Sequence, residues 1–284
     1  MALALLSKGH EVRGLTRSKK SANELDSLGI IPVLGELDNL DILKSEAFRA
    51  DAVINTASAD HLDAVLALLD GLTSNHQKFI HTSGSSIIGD DARGNQLSSS
   101  IFKDDTPLRV DVRKQARRNI DLKVLEAASA GIQACVIIPS LIYGYGLGIQ
   151  KNSIQVPFLV RNAIENDAVQ IVGKGLNAWS NVHIEDLVDL YLLALEKAPA
   201  GASYFAENGE ATFLEIAQSI SARLNIPSIE HLPTEIAADR WGMSRALFSL
   251  GSNSRVRSVR ARSELNWKPK HTSVQAWILD EMRG

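Results

Sequence analysis

Hydroxyl and guanidinium side chains are the groups in this sequence whose positions could serve chemistry. Ser83 and Ser85 follow an apolar segment, and either hydroxyl could donate a hydrogen bond to a substrate carbonyl. The same hydroxyls could equally satisfy the backbone groups of a turn. Arg109 and Arg113 could hold an anionic group, but the basic run over residues 113–118 is more typical of a solvated helix face.

Cysteine and metal chemistry have little support in the residue pattern. Cys135 is the single cysteine, and its apolar neighbours Val136, Ile137 and Ile138 predict a buried position in a strand. A single cysteine cannot form an internal disulfide, which is typical of a reducing compartment, so we expect a cytoplasmic protein. No spacing of histidine, cysteine and carboxylate residues predicts a metal site.

The composition excludes several classes of protein. Of the 284 residues, 45% are hydrophobic and 22% are charged, which is typical of a folded globular chain. A net charge of −3 gives no electrostatic reason to expect a nucleic-acid partner. No segment reaches the roughly 18 to 20 apolar residues that a membrane span needs. The C-terminal arginines are expected to form a solvated face; they are Arg255, Arg257, Arg260 and Arg262.

Apolar segments that alternate with helical ones must position these side chains. Strand-like segments cover residues 11–17, 30–34, 52–56, 78–82 and 134–138. Helical segments cover residues 2–7, 21–28, 40–48, 61–72 and 113–130. Near-continuous apolar strands between helices are typical of a parallel sheet that is covered on both faces. The sequence therefore predicts a doubly wound α/β fold.

The alternation breaks after about Gly148. A strand is predicted over 202–206, and helices are predicted over the segments 184–197, 212–224 and 273–282, the second with the capping-box pair Thr212 and Glu215. We therefore predict two parts. A Rossmann-type domain covers residues 1–150 and takes back residues 176–206, and a smaller substrate-binding part consists of residues 151–175 and 207–284.

Seven motifs then occur in a characteristic order. They are GLTRS (14–18), GELD (35–38), NTA (55–57), HTSGSSIIG (81–89), PSLIYGYG (139–146), WSNVHIEDL (179–187) and LNWKP (265–269). Together they span nearly the whole chain, and the series resembles the extended short-chain dehydrogenase/reductase superfamily, the NAD(P)-dependent epimerases and dehydratases with their atypical, NmrA-like members. The resemblance implies a nicotinamide dinucleotide at the carboxyl ends of the strands and a small hydroxyl- or carbonyl-bearing substrate.

The resemblance also implies which residues surround the cofactor. Arg17 stands where an acidic residue would accept from a ribose 2′-OH, and its guanidinium suits a 2′-phosphate, so NADP is expected in preference to NAD. A solvated surface arginine is the alternative. The other expected cofactor residues are Thr16, Ser18, Leu37, Asp38, Thr56, Ala57, Pro139 and Ile142. Asp38 could also cap the helix that begins near Leu40.

Further residues are expected near the substrate. The resemblance places Tyr143 beside the nicotinamide, as the one tyrosine close to the reaction centre. Trp179 and Asn181 are expected to line the substrate pocket, with core packing as the alternative. His183 and Asp186 are expected to be a buried, hydrogen-bonded pair that organises the sheet edge.

Two features depart from the family pattern. The sequence opens inside the helix that should follow a first strand and a glycine-rich turn, so about 18 to 20 residues of the pattern are missing. This absence would leave a gap in the sheet or make the neighbouring strands pair. No Tyr-x-x-x-Lys pair occurs either: counting places it near Arg109 and Arg113, and arginine does not exchange protons as tyrosine does. Gly84 stands where a serine or threonine is expected.

These observations favour an NADP-linked oxidoreductase or epimerase that acts on a small metabolite, as a monomer or a homodimer. The missing Tyr-x-x-x-Lys pair motivates an alternative, a non-catalytic sensor that binds NADP. The missing turn motivates another, a truncated product whose cofactor binding is impaired.

Overall fold

Strands and helices alternate along the chain in the computed structural model, which describes residues 1–73 and 76–283. The strands are β1 (Arg13–Thr16), β2 (Ile31–Leu34), β3 (Ala52–Asn55), β4 (Lys78–Thr82), β5 (Phe102–Lys103), β6 (Gln133–Pro139), β7 (Leu141–Tyr143), β8 (Val169–Val172), β9 (Ala178–His183), β10 (Ala202–Ala206), β11 (Glu210–Thr212), β12 (Ile229–Leu232) and β13 (Val256–Arg257). The helices are α1 (Ala2–Ser7), α2 (Lys19–Ser27), α3 (Leu40–Arg49), α4 (Leu62–Gly71), α5 (Gln115–Glu126), α6 (Gln155–Asn166), α7 (Ile184–Lys197), α8 (Phe213–Leu224), α9 (Thr234–Trp241), α10 (Val259–Glu264) and α11 (Val274–Asp280).

The largest sheet has four parallel strands in the order β10–β6–β4–β3. β1 and β2 form a separate parallel pair. β1 and β3 do not pair with each other in the described chain, so the direct pairing that the sequence left open does not occur.

Both faces of the four-stranded sheet are covered because its strands are apolar at consecutive positions. In β6, Val136 and Ile138 pack in one core cluster with Ile120 and Val124 of α5. The alternate residue Ile137 packs in a second cluster, with α7 on the other face. The predicted doubly wound α/β fold is confirmed.

A third core cluster is built mainly from the C-terminal half of the chain. It joins β7, β8, β9 and β11 to α6, α8 and α11, with Trp179, Phe213 and Trp277 among its large side chains. The predicted capping box of α8 is present: the Glu215 amide donates to Thr212 Oγ1, and the Thr212 amide donates to Glu215 Oε2.

The C-terminal arginines are not the solvated face that the sequence predicts. Arg255 and Arg257 both pair with Glu210, and Arg262 pairs with Glu207. Glu210 lies in β11 and Glu207 lies directly after β10, and folding places both glutamates against the arginines. Most of the arginine charge is therefore neutralised within the protein. The remaining member, Arg260, pairs with Glu264 one helical turn away.

His183 and Asp186 are both buried, as predicted, but they do not bond to each other in the described structure. His183 caps α7 by accepting the Glu185 amide. The Asp186 carboxylate accepts the amides of Lys270 and His271 and so fixes the C-terminal segment.

The expected burial of Cys135 is confirmed by the structure. Burial raises the pKa of the Cys135 thiol to about 12, which agrees with a buried apolar cysteine. No helix in the described part of the chain has the length and apolarity to cross a membrane.

Candidate functional site

The carboxyl ends of the parallel strands carry the residues that the motifs single out. β1 ends at Thr16, β3 at Asn55, β4 at Thr82 and β6 at Pro139. In an open α/β sheet, ligands bind just beyond these ends, because the loops there leave crevices between the strands. The candidate site is therefore built from the loops after β1, β3 and β4 and from the start of α5.

Arg117 projects from α5 to the loop after β4. Its guanidinium donates to both Asp60 carboxylate oxygens, from Nε at 2.7 Å and from Nη2 at 2.5 Å. The remaining Nη1 donates to Ser86 Oγ at 3.0 Å. A Cβ atom on Gly84 would lie 3.3 Å from Nη1, so the glycine leaves the space that the guanidinium uses.

Lys114 lies three residues before Arg117, and residues at this spacing lie on the same face of a helix. Its ammonium stands 4.5 Å from the centre of the Phe248 ring, on which the Arg113 guanidinium also packs at 4.6 Å. Burial and the Arg117 charge lower the pKa of Lys114. No carboxylate lies within ion-pair distance of Lys114 in residues 1–73 and 76–283. We call Asp60, Ser86, Lys114 and Arg117 the edge cluster.

A second group of polar side chains lies behind the edge cluster and is buried. His81 and Asp121 are both 0% exposed, and Ser83 Oγ donates to Asp121 Oδ2 at 2.9 Å. Asn55 Nδ2 lies 3.1 Å from His81 Nδ1. We call Asn55, His81, Ser83 and Asp121 the buried cluster.

One contact in the buried cluster is incomplete. His81 Nε2 and Asp121 Oδ1 face each other at 3.8 Å, and neither atom has a hydrogen-bond partner within the described residues. The Asn55 amide nitrogen can only donate a hydrogen bond, so His81 Nδ1 accepts it. The proton of the neutral His81 ring is therefore on Nε2, which faces the Asp121 carboxylate.

Burial disfavours the charged form of both members of this pair. Loss of solvation, together with the nearby Arg117 charge, lowers the pKa of His81 to about 4. Loss of solvation raises the pKa of Asp121 to about 6, although the Ser83 hydrogen bond and the Arg118 charge oppose the rise.

The remaining candidate reaction residues lie in packed surroundings. Ser85 Oγ accepts a hydrogen bond from Ser254 Oγ at 2.7 Å, and its side chain is buried. Tyr143 is 0% exposed, its ring meets the His183 and Trp277 rings, and burial raises its pKa. Its hydroxyl has no hydrogen-bond partner in the described structure.

The loop after β1 presents exposed polar residues to solvent. Arg17 is exposed and makes no hydrogen bond or ion pair with the rest of the described chain. Ser18 caps α2 by accepting the Ser21 amide, and Thr16 accepts the Gly35 amide through its backbone oxygen.

The other expected cofactor residues follow β2, β3 and β6. Thr56 and Ala57 are exposed, Leu37 and Ile142 are half-buried, and Pro139 is buried. The alternative role of Asp38 as a helix cap is wrong, because Asn39 occupies that position in α3. The Asp38 carboxylate meets His61 Nε2 at 3.1 Å instead.

The expected substrate residues both lie in β9 and are buried. Trp179 Nε1 donates to the Ser252 carbonyl at 2.9 Å, and its ring belongs to the core. Asn181 is 1% exposed, and both polar atoms of its side-chain amide have no partner in the described chain.

Several known proteins are similar to this chain in sequence or in fold. A model of the NAD-dependent epimerase/dehydratase family matches residues 1–206. The chain belongs to this family. Oxidase ucsJ of Acremonium sp is 31% identical over 94% of this chain and 88% of its own length. A 4-hydroxy-2-methyl-3-oxo-4-farnesyl-3,4-dihydroquinoline-1-oxide ketoreductase of Stigmatella aurantiaca is 24% identical over 99% of this chain and 90% of its own length.

Solved structures agree on the fold of this epimerase/dehydratase-family chain. The dTDP-glucose 4,6-dehydratase of Bacillus anthracis, solved in complex with NAD, superposes with a TM-score of 0.75 at 19% identity. The match covers 97% of this chain and 89% of that protein. The expected membership of the extended short-chain dehydrogenase/reductase superfamily is confirmed.

The sequence motifs did not predict that Arg117 lies beside Gly84. Counting back from Pro139 pointed to Arg109 and Arg113, but α5 begins only at Gln115 and Arg109 lies outside it. Lys114, Arg117 and Asp121 are spaced three and four residues apart, so helix periodicity could have placed them on one face. No sequence signal connects Arg117 to Asp60, which comes from the loop after β3.

Proposed function

We propose that the protein is an NADP-linked oxidoreductase that interconverts a carbonyl group and an alcohol on a small metabolite. The observation that carries this proposal is the position of Arg117. Its guanidinium lies beside Gly84 and Ser86, at the strand end where the resemblance places the reaction centre. The ketoreductase and the oxidase among the relatives support redox chemistry.

The loop after β1 supports NADP as the cofactor. Arg17 is exposed and unpaired within the described chain, next to the hydroxyl of Ser18 and to Lys19. A guanidinium can bind a 2′-phosphate through two parallel hydrogen bonds. Asp38, Thr56 and Ala57 would line the adenosine and ribose groups. These residues would form the adenosine end of the cofactor site.

When bound, NADPH would supply a hydride for the carbonyl carbon of the substrate, whose oxygen then needs a proton to become a hydroxyl group. Arg117 would stabilise the negative charge that develops on this oxygen, because fixed hydrogen-bond donors in a partly desolvated site act strongly on such charge. Asp60 holds the guanidinium through both carboxylate oxygens and so fixes its direction.

Arginine cannot supply the proton, so a second group must. Lys114 suits this role, because its half-buried ammonium has a lowered pKa and no carboxylate partner in the described structure. Its Nζ–H bond would break as the O–H bond of the alcohol forms, and the neutral amine would regain a proton from water. Ser83, Ser85 and Tyr143 stay predictions as hydroxyl donors, and Trp179 and Asn181 stay predictions for the substrate pocket.

Calorimetric titration with NADPH and NADH tests the cofactor. We expect NADPH to bind about tenfold more tightly than NADH, and Arg17→Gln to remove the difference, because one charge-assisted contact is worth roughly 1.4 kcal/mol or more. The matched control is Lys20→Gln on α2, which should leave the ratio unchanged. Equal affinities in the unmodified protein would contradict the assignment of Arg17.

Turnover is tested by following NADPH oxidation with a panel of ketones and aldehydes. The proposal expects consumption that depends on the carbonyl compound. Absence of cofactor binding at millimolar concentration would overturn it. Binding without turnover across the panel would instead establish the alternative, a sensor that binds the dinucleotide.

A further inference from the structure

Three metal-ligating side chains converge away from the edge cluster, at the first turn of α7. They are His183, Glu185 and His271, and one potential ligand atom from each lies within 4.8 Å of the others. His271 Nε2 is 3.1 Å from Glu185 Oε2, and the two imidazole rings stack with their centres 3.8 Å apart. We propose that this triad is a binding site for a divalent transition metal such as Zn²⁺.

The fold already holds the two segments of the triad together. Glu185 and His271 are 86 residues apart in the sequence. The buried Asp186 carboxylate, next to Glu185, accepts the Lys270 amide at 2.8 Å and the His271 amide at 2.9 Å. The Trp267 indole donates to the Asp186 carbonyl at 2.8 Å. The position of the His271 backbone is therefore set before any ligand binds.

The donor set suits zinc and similar ions. Two imidazole nitrogens and one carboxylate oxygen, with a fourth position left to water, form a common zinc coordination pattern. Imidazole favours zinc, copper, iron and nickel, whereas calcium and magnesium prefer sites of oxygen ligands alone.

Each ligand can reach a metal with a small local change. His183 is 5% exposed, and its Nδ1 accepts the Glu185 amide at 3.3 Å, a hydrogen bond that coordination through Nδ1 would replace. The side chains of Glu185 and His271 are 71% and 32% exposed, so both can turn. A bound cation would replace the contact between His271 and Glu185 and separate the stacked rings slightly.

Zinc binding to the untagged full chain can be measured by calorimetry, with Co²⁺ as a spectroscopic probe of the ligand set. We expect one equivalent of Zn²⁺ and a visible Co²⁺ spectrum that Zn²⁺ abolishes. Glu185→Gln and His271→Ala should each weaken Zn²⁺ binding about tenfold or more, because even the loss of an outer-shell partner costs about 10- to 100-fold. The control is His10→Ala, which removes another exposed histidine and should change nothing.

Two outcomes would overturn the proposal. One is the absence of stoichiometric Zn²⁺ binding, which would leave the triad as a hydrogen-bonded stack. The other is Zn²⁺ binding that is unchanged in both Glu185→Gln and His271→Ala, since the metal would then lie elsewhere. Both substitutions alter partly exposed side chains, and circular dichroism confirms the fold of each. The measurement involves neither NADPH nor turnover, so its result is independent of the proposed oxidoreductase function.

Discussion

The edge cluster and the buried cluster lie at the same end of β4, and each contains an aspartate, a serine and a basic side chain, but the environments of their charged groups differ. Arg117 and Asp60 form a two-bond ion pair at the surface, and this pairing lowers the pKa of Asp60. His81 and Asp121 lie just behind and are fully enclosed. Burial lowers the pKa of His81 and raises the pKa of Asp121, so it favours the neutral form of each. Residue type and solvent access therefore act together: the edge cluster presents a permanent guanidinium charge near solvent, whereas burial disfavours the charged forms of His81 and Asp121.

The two clusters are also coupled through Arg117. Its positive charge contributes to the lowered pKa of His81, and it opposes the raised pKa of Asp121. Changes in the edge cluster should therefore affect chemistry strongly and stability weakly, whereas changes in the buried cluster should do the reverse. Variants in the two clusters test this contrast.

Arg117→Met should have the largest effect, and the effect should fall on activity. We expect kcat/KM for carbonyl reduction to fall about 100- to 1000-fold, the usual cost of losing a donor to a developing oxyanion. The free energy of unfolding should change by less than about 1 kcal/mol, because the Asp60 side chain is 62% exposed and water can solvate it. Steady-state kinetics and urea unfolding measure the two effects, with the exposed Arg161→Met as control. A large loss of stability with unchanged kcat/KM would reverse the contrast.

Asp121→Asn should act on stability instead. The pKa of Asp121 is raised to about 6, above the ordinary carboxyl value of 3.8, so the ionised form destabilises the folded state at neutral pH. The asparagine amide keeps an acceptor for Ser83 and carries no charge. We expect the free energy of unfolding to rise by up to about 3 kcal/mol at pH 7. The gain should disappear as the pH falls through 6 toward 4, where Asp121 is protonated. Urea unfolding across this range checks it, and a loss of stability at pH 7 would show that the carboxylate is needed in its charged form.

The contributions of His81 and Asp121 to the free energy of unfolding depend on pH in opposite directions. Between pH 4 and pH 6, folded Asp121 holds a proton that the unfolded chain has released, so its contribution to stability falls as the pH rises. Over the same range, unfolded His81 holds a proton that the folded state excludes, so its contribution rises with pH. Each slope is about 1.4 kcal/mol per pH unit, and the two nearly cancel in the unmodified protein.

Substitution of either member should expose the slope of the other. His81→Asn should give a protein that becomes more stable on acidification from pH 6 to pH 4, and Asp121→Asn should give one that becomes less stable. Denaturant unfolding at a series of pH values measures both slopes. Parallel slopes in the two variants would show that the pair does not titrate in opposite directions.

Gly84→Ser should have the smallest effect. Gly84 has an extended backbone with φ −168°, so a serine is tolerated there, and its Cβ would lie 3.3 Å from Arg117 Nη1. The guanidinium must shift slightly, and we expect a change of less than about 1 kcal/mol in the free energy of unfolding. Thermal unfolding with and without NADPH measures it. A cost of several kcal/mol would mean that the edge cluster is as tightly packed as the buried one.

Much of the fold follows from local sequence pattern. β4 (Lys78–Thr82), β10 (Ala202–Ala206) and α7 (Ile184–Lys197) occur at the predicted bounds, because apolar periodicity and helix caps act over a few residues. The C-terminal part was predicted less completely: α6 and β8 lie in residues 151–175, for which no element was assigned. Short strands such as β7 depend on pairing with β9, about 40 residues later, and leave little trace in the local pattern.

The α/β class, the alternation of the first half, the family motifs and the absence of a Tyr-x-x-x-Lys pair follow directly from the amino-acid sequence. The tertiary structure decided which charged residues meet. Asp60 and Arg117, and likewise Glu185 and His271, are far apart in the chain, so only the packing of their loops and helices makes them neighbours. The structure also decided that Asp121 is enclosed while Arg117 reaches the surface. The physical reason is that charge and chemistry at a site depend on distance and solvation, and both are set by the folded chain rather than by sequence spacing.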